Sequence, residues 1–382
     1  MTLPRINKLS DMVDPVFDAA AHGDREVLSE EAFRRRIAIE RKRTERSREP
    51  FLLMLLEAGV PQNGDKADKT LEGIVSAMRS STRETDVVGW YKDRSTVGVM
   101  FTGLVVSDKN SVLSTILGRV SAALQEEVSM ERFNQITFSF HFFPDDWDEG
   151  SSGRPSDPVL YPDLFSPSRD QRSQLRAKRA MDIAGSTLML IACMPLFAII
   201  ALLIRATSRG PILFRQDRIG QYGRRFTFLK FRSMRVDNDE TVHKEYVKRL
   251  IAGVAERVPV NADGQGVYKL VGDKRITSIG KFLRKTSLDE LPQFLNVLRG
   301  DMSLVGPRPP VPYELAAYQT WHRRRVLQVK PGITGLWQVT GRSRVRFDDM
   351  VRLDLRYAIS WSPWLDVKIL MKTPAAVIKG AY

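Results

Sequence analysis

At 382 residues the chain is long enough for two or three domains, each with its own core. Its 59 Lys and Arg against 45 Asp and Glu leave a formal net charge of +14, which implies an anionic partner: nucleic acid, an anionic membrane surface or a phosphorylated substrate. A single cysteine, Cys193, excludes a disulfide framework and a cysteine metal site, and the four histidines His22, His141, His243 and His322 have no spacing for a shared metal.

The basic residues are spread through motifs containing Gly, Pro and carboxylates, with no zinc-finger spacing and no RNA-binding aromatic signature, so nucleic acid is not the expected partner. The opening MTLPRINKLSDMVDPVFD has no apolar run of signal-peptide length, and export is not expected. Residues 1–30 are polar and broken by prolines and read as a mobile arm. From Glu31 to Arg48 an Arg-dense run carries Phe33, Ile37 and Ile39 at or near helical spacing, which suits a solvated helix or one drawn to a membrane.

Phe51–Glu57 then reads as a buried strand, Asp68–Ser80 as an amphipathic helix, and Asp86–Tyr91 with Thr96–Phe101 as a hairpin. Asn110–Glu126 reads as a second helix and Gln135–Phe143 as a last strand. The order βαββαβ is a ferredoxin-like α+β sandwich over residues 31–143. With the Glu-Arg-rich run before the first strand and Thr85-Asp86 before the hairpin, it resembles the nucleotidyl-cyclase-like domain of diguanylate cyclases. At the hairpin tip, where that family has Gly-Gly-acidic-Glu-Phe, this chain has Tyr91-Lys92-Asp93-Arg94-Ser95. A degenerate, regulatory or assembly module is therefore expected rather than a cyclase.

Residues 144–176, including PDDWDEGSSGRPSDP, read as a linker. Ile183–Ile204 is a run of 22 uncharged residues, long enough to span a bilayer as a helix. Yet Pro195 removes a backbone hydrogen bond in its middle, and basic residues flank both ends, so residues 177–209 are expected to bend back and leave both ends on the cytoplasmic side. From Gly210 a soluble part begins, with strands at Ile212–Arg215 and Phe226–Phe231, then a charged helix Asn238–Ile251. Asp237, Asp239 and Glu240 could ligate a metal, although three acids at a helix start more often complement the dipole.

The stretch Thr286-Ser287-Leu288-Asp289-Glu290-Leu291-Pro292-Gln293 is the centre of this part. Ser287 with Glu290 three positions on is a capping-box pattern, and Leu291, Phe294, Leu295 and Leu298 follow at helical spacing before Gly300. Asp289 would face unpaired N–H groups and the positive helix end, which keep it ionised and attract phosphate. Lys281, Arg284 and Lys285 lie upstream; downstream, Gly306-Pro307-Arg308-Pro309-Pro310 holds one guanidinium in a stiff non-helical turn. Beyond KPGITG, the tryptophans Trp321, Trp361 and Trp364 suit a headgroup region, and Trp364–Lys379 reads as an interfacial helix.

The strings KRAMDIAGS, GPILFRQDRIG, FLKFRSM, RKTSLDELPQFLNVLRGDMSLVGPRP and KPGITGLWQVTGR, in that order, resemble the bacterial sugar transferases, the monotopic polyprenyl-phosphate phosphoglycosyl transferases. The resemblance covers Lys178 to the C-terminus and departs from the family at Met194, where a Ser usually precedes the proline. It implies an exopolysaccharide-type initiating enzyme on the cytoplasmic face of the bacterial inner membrane, with residues 210–382 as a small, mainly helical α/β catalytic domain carrying interfacial helices. It further implies a UDP-sugar donor, a polyprenyl phosphate acceptor, UMP release and a covalent phosphosugar intermediate on Asp289. Glu290 would assist, a magnesium ion would be held partly by Asp289, and Arg308, Arg284, Lys230, Arg232 and Arg342 would bind substrate. Inner-membrane lipid is the expected surface, and a homo-oligomer is compatible with the sequence. The rival expectation is a membrane-bound scaffold or regulator of polysaccharide assembly.

Overall fold

The computed structural model describes residues 26–58, 64–104, 108–144, 157–165, 169–235, 241–259, 266–268 and 275–379. Most of the 1–30 arm, the centre of the 144–176 linker, and Asp237, Asp239 and Glu240 lie outside the described residues. The chain divides into two compact units. One comprises Met1–Phe33, Leu55–Val99 and Asp108–Phe138; the other comprises Arg34–Met54, Met100–Ser107 and Ser139–Tyr382.

The first helix, α1 (Glu30–Ser47), opens on Glu30 and Glu31 and closes on Arg46, charges that complement its dipole. Phe33, Ile37, Arg41 and Thr44, spaced four, four and three apart, form its buried stripe, whereas Ile39 is 47% exposed and lies off it. Next come β1 (Phe51–Ala58), α2 (Gly64–Ser81), β2 (Val87–Lys92), β3 (Thr96–Phe101), α3 (Lys109–Glu127), the single turn α4 (Met130–Phe133) and β4 (Ile136–Phe143). Six successive residues of β1, Phe51 to Leu56, are buried, as in a strand covered on both faces. The sheet order is β2-β3-β1-β4. Gly89 and Gly98 are bare because the Phe33 ring fills the space a side chain would take: an added Cβ would lie 2.6 and 2.3 Å from it. At the β2–β3 turn Arg94 adopts φ 49°, and the Asp93 amide donates to Glu30 at 2.7 Å.

Part of the expected linker is folded. A 3-10 turn, Pro158–Leu160, and the short helix α5 (Pro162–Phe165) bury Leu160 and Tyr161, with Tyr161 edge-on to Phe143 at 6.2 Å and the Arg41 guanidinium 4.4 Å over its ring. Polar composition hid two apolar anchors.

The membrane-directed stretch forms two helices, α6 (Arg169–Ala192) and α7 (Met194–Thr207), bent by 60°. Among the described residues no single helix is long and apolar enough to cross a membrane. Cys193 leaves helical geometry (φ −92°, ψ 2°), and Pro195 sits in the first turn of α7, where its missing N–H costs nothing. Leu188, Ile191, Met194 and Leu202 are each more than 60% exposed around the bend. The charged residues in the middle of α6, Lys178, Arg179 and Asp182, are instead tied into the core. Lys178 donates to Asp366 (2.6 Å), Val305 O (3.1 Å) and Tyr357 (3.2 Å), Arg179 donates to the carbonyls of Val297 and Leu298, and Asp182 accepts from Ser303 and the Leu304 amide.

An antiparallel hairpin follows, β5 (Leu213–Ile219) against β6 (Arg225–Phe231), then α8 (Thr241–Ile251) and the two-residue pair β7 (Val258–Pro259) and β8 (Gly266–Val267). The remaining elements are α9 (Ser278–Thr286), α10 (Gln293–Arg299), β9 (Ser303–Val305), α11 (Pro312–Ala316), α12 (Thr320–Gln328), β10 (Gly332–Thr334), α13 (Leu336–Thr340), α14 (Phe347–Ser360) and α15 (Pro363–Lys379). β9 and β10 pair in parallel, Gly332 opposite Ser303 and Thr334 opposite Val305. Their core joins Phe228, Val297, Met302, Leu304, Tyr357 and Ile369. Of the three tryptophans expected at a headgroup region Trp364, 63% exposed on α15, is the most open to solvent; Trp321 and Trp361 are partly buried against core clusters.

Candidate active site

Asp289 and Glu290 do not stand in the first turn of a capped α-helix. Helix α9 runs unbroken to Thr286, so Ser287 is its C-terminal cap, in the left-handed region (φ 57°), and its side chain caps neither α9 nor the turn after it. Leu288–Glu290 is a 3-10 turn, and α10 starts after Pro292, which has no N–H to lose. The expected capping box is therefore absent because a preceding helix claims its Ser. The expected stop holds: Gly300 takes φ 89° and its amide reaches Asn296 O and Val297 O.

Two supports fix this turn. Asn296 on α10, fully buried, accepts from the Leu229 amide (3.0 Å) and donates to Thr227 O (2.7 Å), which fastens α10 to the edge of β6. Lys230 is the next residue of β6. On the other side, the β9–β10 pair carries Gly306-Pro307-Arg308 and Pro331-Gly332. Gly306 donates to Thr334 O and Gly332 to Pro307 O, both at 2.8 Å. A Cβ on Gly332 would fall 2.0 Å from Gly306 N, and one on Gly335 would fall 2.3 Å from Gly306 O, so the two motifs approach more closely than any side chain permits.

The electrostatics reverse the expectation that a helix end keeps Asp289 fully ionised. Asp289 is only 8% exposed, and burial, reinforced by the adjacent Glu290 charge, pushes its carboxyl up to about 6 against the opposing pull of Lys230 and Arg284. Burial lowers Lys230 to about 8; Asp289 opposes this, while Arg218, Arg284 and Arg308 push the same way. Lys230 also lies 5.1 Å over the Phe214 ring. A buried carboxylate beside a second one has four cations, Lys230, Arg218, Arg284 and Arg308, in electrostatic reach of its neighbourhood.

Asp289, Glu290, Lys230, Arg284 and Arg308 thus form one electrostatic cluster. Arg232 does not join it. It is buried and donates to Arg209 O, Ser208 O and the Ser208 hydroxyl, which ties the end of α7 to β6 and leaves phosphate no free fork. Arg342, at φ 44° after Gly341, is not among the charges that act most strongly on Asp289 or Lys230. Pro195 lies at the helix break. Among the described residues no three His, Cys, Asp or Glu side chains converge as a metal site. Sequence reading passed over Asn296, Arg218 and Arg325; the first could have been found as a polar residue inside the apolar period of FLNVL.

The pattern of the bacterial sugar transferase family matches residues 173–380, just over half of the chain. The galactosyl transferase CpsE of Streptococcus agalactiae is 46% identical over 212 residues, which is 54% of this chain and 43% of that protein. The undecaprenyl-phosphate galactose phosphotransferase of Salmonella typhimurium is 44% identical over 56% of this chain and 43% of its own length, so the chain spans under half of either relative. The exopolysaccharide production protein ExoY of Sinorhizobium fredii is 40% identical over 54% of this chain and 88% of its length. A solved DGC protein from Thermotoga maritima covers 32% of this chain and 86% of its own, with 18% identity and a TM-score of 0.26.

Proposed function

Because this chain belongs to the bacterial sugar transferase family, we propose that it transfers a sugar-1-phosphate from a UDP-sugar to a polyprenyl phosphate such as undecaprenyl phosphate, releasing UMP, as the first membrane step of exopolysaccharide or another surface glycan. The observation that carries the reading is the buried Asp289–Glu290 pair set against Lys230, Arg284 and Arg308.

An Asp289 carboxylate oxygen attacks the β-phosphorus of the donor. A phosphorus–oxygen bond to Asp289 forms, the bond from that phosphorus to the bridging oxygen breaks, and UMP leaves with the electron pair. A phosphate oxygen of the lipid then attacks the same phosphorus, forms the polyprenyl diphosphate sugar and frees Asp289. Arg308, the exposed guanidinium of an otherwise buried loop, and Arg284 orient diphosphate oxygens; Lys230 neutralises charge that builds on the transferred phosphoryl group. The donor set fits magnesium, since two adjacent carboxylates with substrate phosphates are its usual ligands; Asp289, with Glu290 beside it, would hold the ion, which would screen the diphosphate charge.

The lipid reaches the site from the membrane side. The bent α6–α7 pair dips into the leaflet and returns, so both ends stay on the cytoplasmic face of the inner membrane. An apolar cleft lined by Phe197, Ala198, Ala201, Ile212 and Phe214 lies against α7, and its Phe214 ring is 5.1 Å from Lys230 Nζ. Purified protein incubated with labelled UDP-galactose or UDP-glucose and no lipid tests the reading. One equivalent of UMP and label on Asp289 are expected; label elsewhere, or none with every UDP-sugar that turns over when lipid is added, overturns it.

A further inference from the structure

From Met302 to Val311 every residue is buried except Arg308. The carbonyls at the centre of this run are all engaged. Pro307 O accepts from the Gly332 amide (2.8 Å), Arg308 O from Arg325 Nη2 (3.1 Å), Pro309 O from Arg218 Nη1 (2.9 Å) and Pro310 O from the Ile219 amide (2.9 Å). Three prolines remove the amides that could otherwise have tied the loop by its own donors, so these four residues are held through their acceptors. Two of those four donors are guanidinium groups brought from β5 and α12, and both are buried: Arg218 is 7% exposed and Arg325 2%.

Buried guanidiniums are an expensive way to satisfy two carbonyls. Arg325 has a carboxylate, Asp354, at 2.7 Å, itself 1% exposed. Arg218 has none within ion-pair distance among the described residues; its Nε donates to Gln216 at 3.0 Å and its plane lies 5.1 Å from the Phe228 ring. A pair of apolar residues would pack such a core at least as well. What an apolar pair cannot do is hold two successive carbonyls from two different elements and so fix the two peptide planes that follow the Arg308 Cα, as the Gly332 amide on Pro307 O fixes the plane before it.

Resting on the transfer reading above, we propose that Arg218 and Arg325 are positioning residues: by clamping Pro309 O and Arg308 O they aim the Arg308 guanidinium at the donor diphosphate before substrate arrives. Neither touches the substrate. Their effect on transfer passes through Arg308, and Asp354 keeps Arg325 charged and directed. The clamp contributes pre-organisation, so the site loses little when phosphate binds.

A double-mutant cycle on the membrane-reconstituted full chain tests this, with UMP release from UDP-galactose or UDP-glucose as the assay and hydrogen exchange at the Arg308 amide as a readout independent of turnover. Arg218→Gln should lower kcat/KM for the donor about 10- to 100-fold in the wild-type background, yet less than about 3-fold when Arg308 is already Ala, and should speed exchange at Arg308. Equal losses in both backgrounds, or a loss with unchanged exchange, overturns the proposal. If Arg218→Gln does not fold, the variant Arg325→Met/Asp354→Leu answers the same question without leaving a buried charge unpaired; it should keep the wild-type melting temperature, and wild-type kcat/KM in it overturns the clamp. Full activity of Arg308→Ala also overturns the proposal, since nothing would then need aiming, while labelling at Asp289 still decides the transfer reading separately.

Discussion

Asp289 combines two properties that ordinary surface carboxylates lack, burial and a like charge next door, and both act on the proton. With its carboxyl near 6 and Lys230 near 8, the first half-reaction should rise with pH through about 6, as Asp289 ionises, and fall above about 8 as Lys230 loses its charge. Lys230→Met removes the cation that holds Asp289 down, so its acid limb should move to higher pH; an unmoved limb would dissociate the two groups. The same shift has a sign in stability. A carboxyl raised in the folded state favours the protonated form there, so its contribution is present below the unfolded value near 4 and is lost as pH rises through about 6. Asp289→Asn should therefore abolish transfer and raise the melting temperature at pH 8, by up to a few kcal/mol of stability on the order of the linkage energy, with little change at pH 4. Equal melting temperatures at pH 8 would show that burial of Asp289 carries no such cost. This residue stood out in the sequence because its basic neighbours sit within a few positions, whereas the direction of its shift did not, since burial is imposed by β6 from far along the chain.

The elements around the site show why local patterns reach only so far. Strand and helix identities followed from apolar spacing, as in Phe226–Phe231 and in Gly300 closing α10. The Ser287 pattern failed because Ser-x-x-Glu is blind to a helix that ends directly before it, and Pro292 sets the start of α10 instead. Arg232 illustrates a related point: a guanidinium near a phosphate motif reads as a ligand in the sequence, and the structure traces its donors to Ser208 and Arg209. Asn296 and Gly332 carry the element-level tests. Asn296→Ala strands the buried Leu229 amide and Thr227 carbonyl and should cost about 2–3 kcal/mol in denaturant unfolding while reducing transfer, because Lys230 follows Leu229 on the loosened strand. Gly332→Ala drives a methyl to 2.0 Å from Gly306 N, where only backbone can yield. Its expected outcome is loss of transfer through displacement of Arg308, read as a loss of donor kcat/KM; a fully active Gly332→Ala would mean that the β9–β10 approach does not govern the site.

For the whole molecule the decisive question is whether a chain with 22 uncharged residues in a row crosses the bilayer or, as proposed above, returns to the face it entered. A straight helix of that length would reach across about 30 Å of hydrocarbon. The 60° bend at Cys193 shortens the reach, and Lys178, Arg179 and Asp182 anchor the first helix to β9, α10 and α15 by buried charge-assisted bonds that a transmembrane path would have to break. At the other end Arg232 holds Ser208 and Arg209 beside the β5–β6 hairpin. Both ends of the pair are thus secured to the part of the chain that carries Asp289, and Leu188, Ile191, Met194 and Leu202 are left exposed around the bend. In a Cys193→Ala background, Gln174→Cys and Arg209→Cys should both react with an impermeant maleimide only from the cytoplasmic side of sealed inner-membrane vesicles. Pro195→Leu, which restores a helical N–H, should not by itself reverse either label, because the charged anchors and not the proline alone hold the two ends together. Adding Lys178→Leu to Pro195→Leu removes an anchor as well and should move part of the Gln174→Cys label to the periplasmic side. Opposite-side labelling of the two positions with Pro195 and Lys178 intact would show instead that the pair spans, and would separate the N-terminal half of the chain from the cytoplasmic donor.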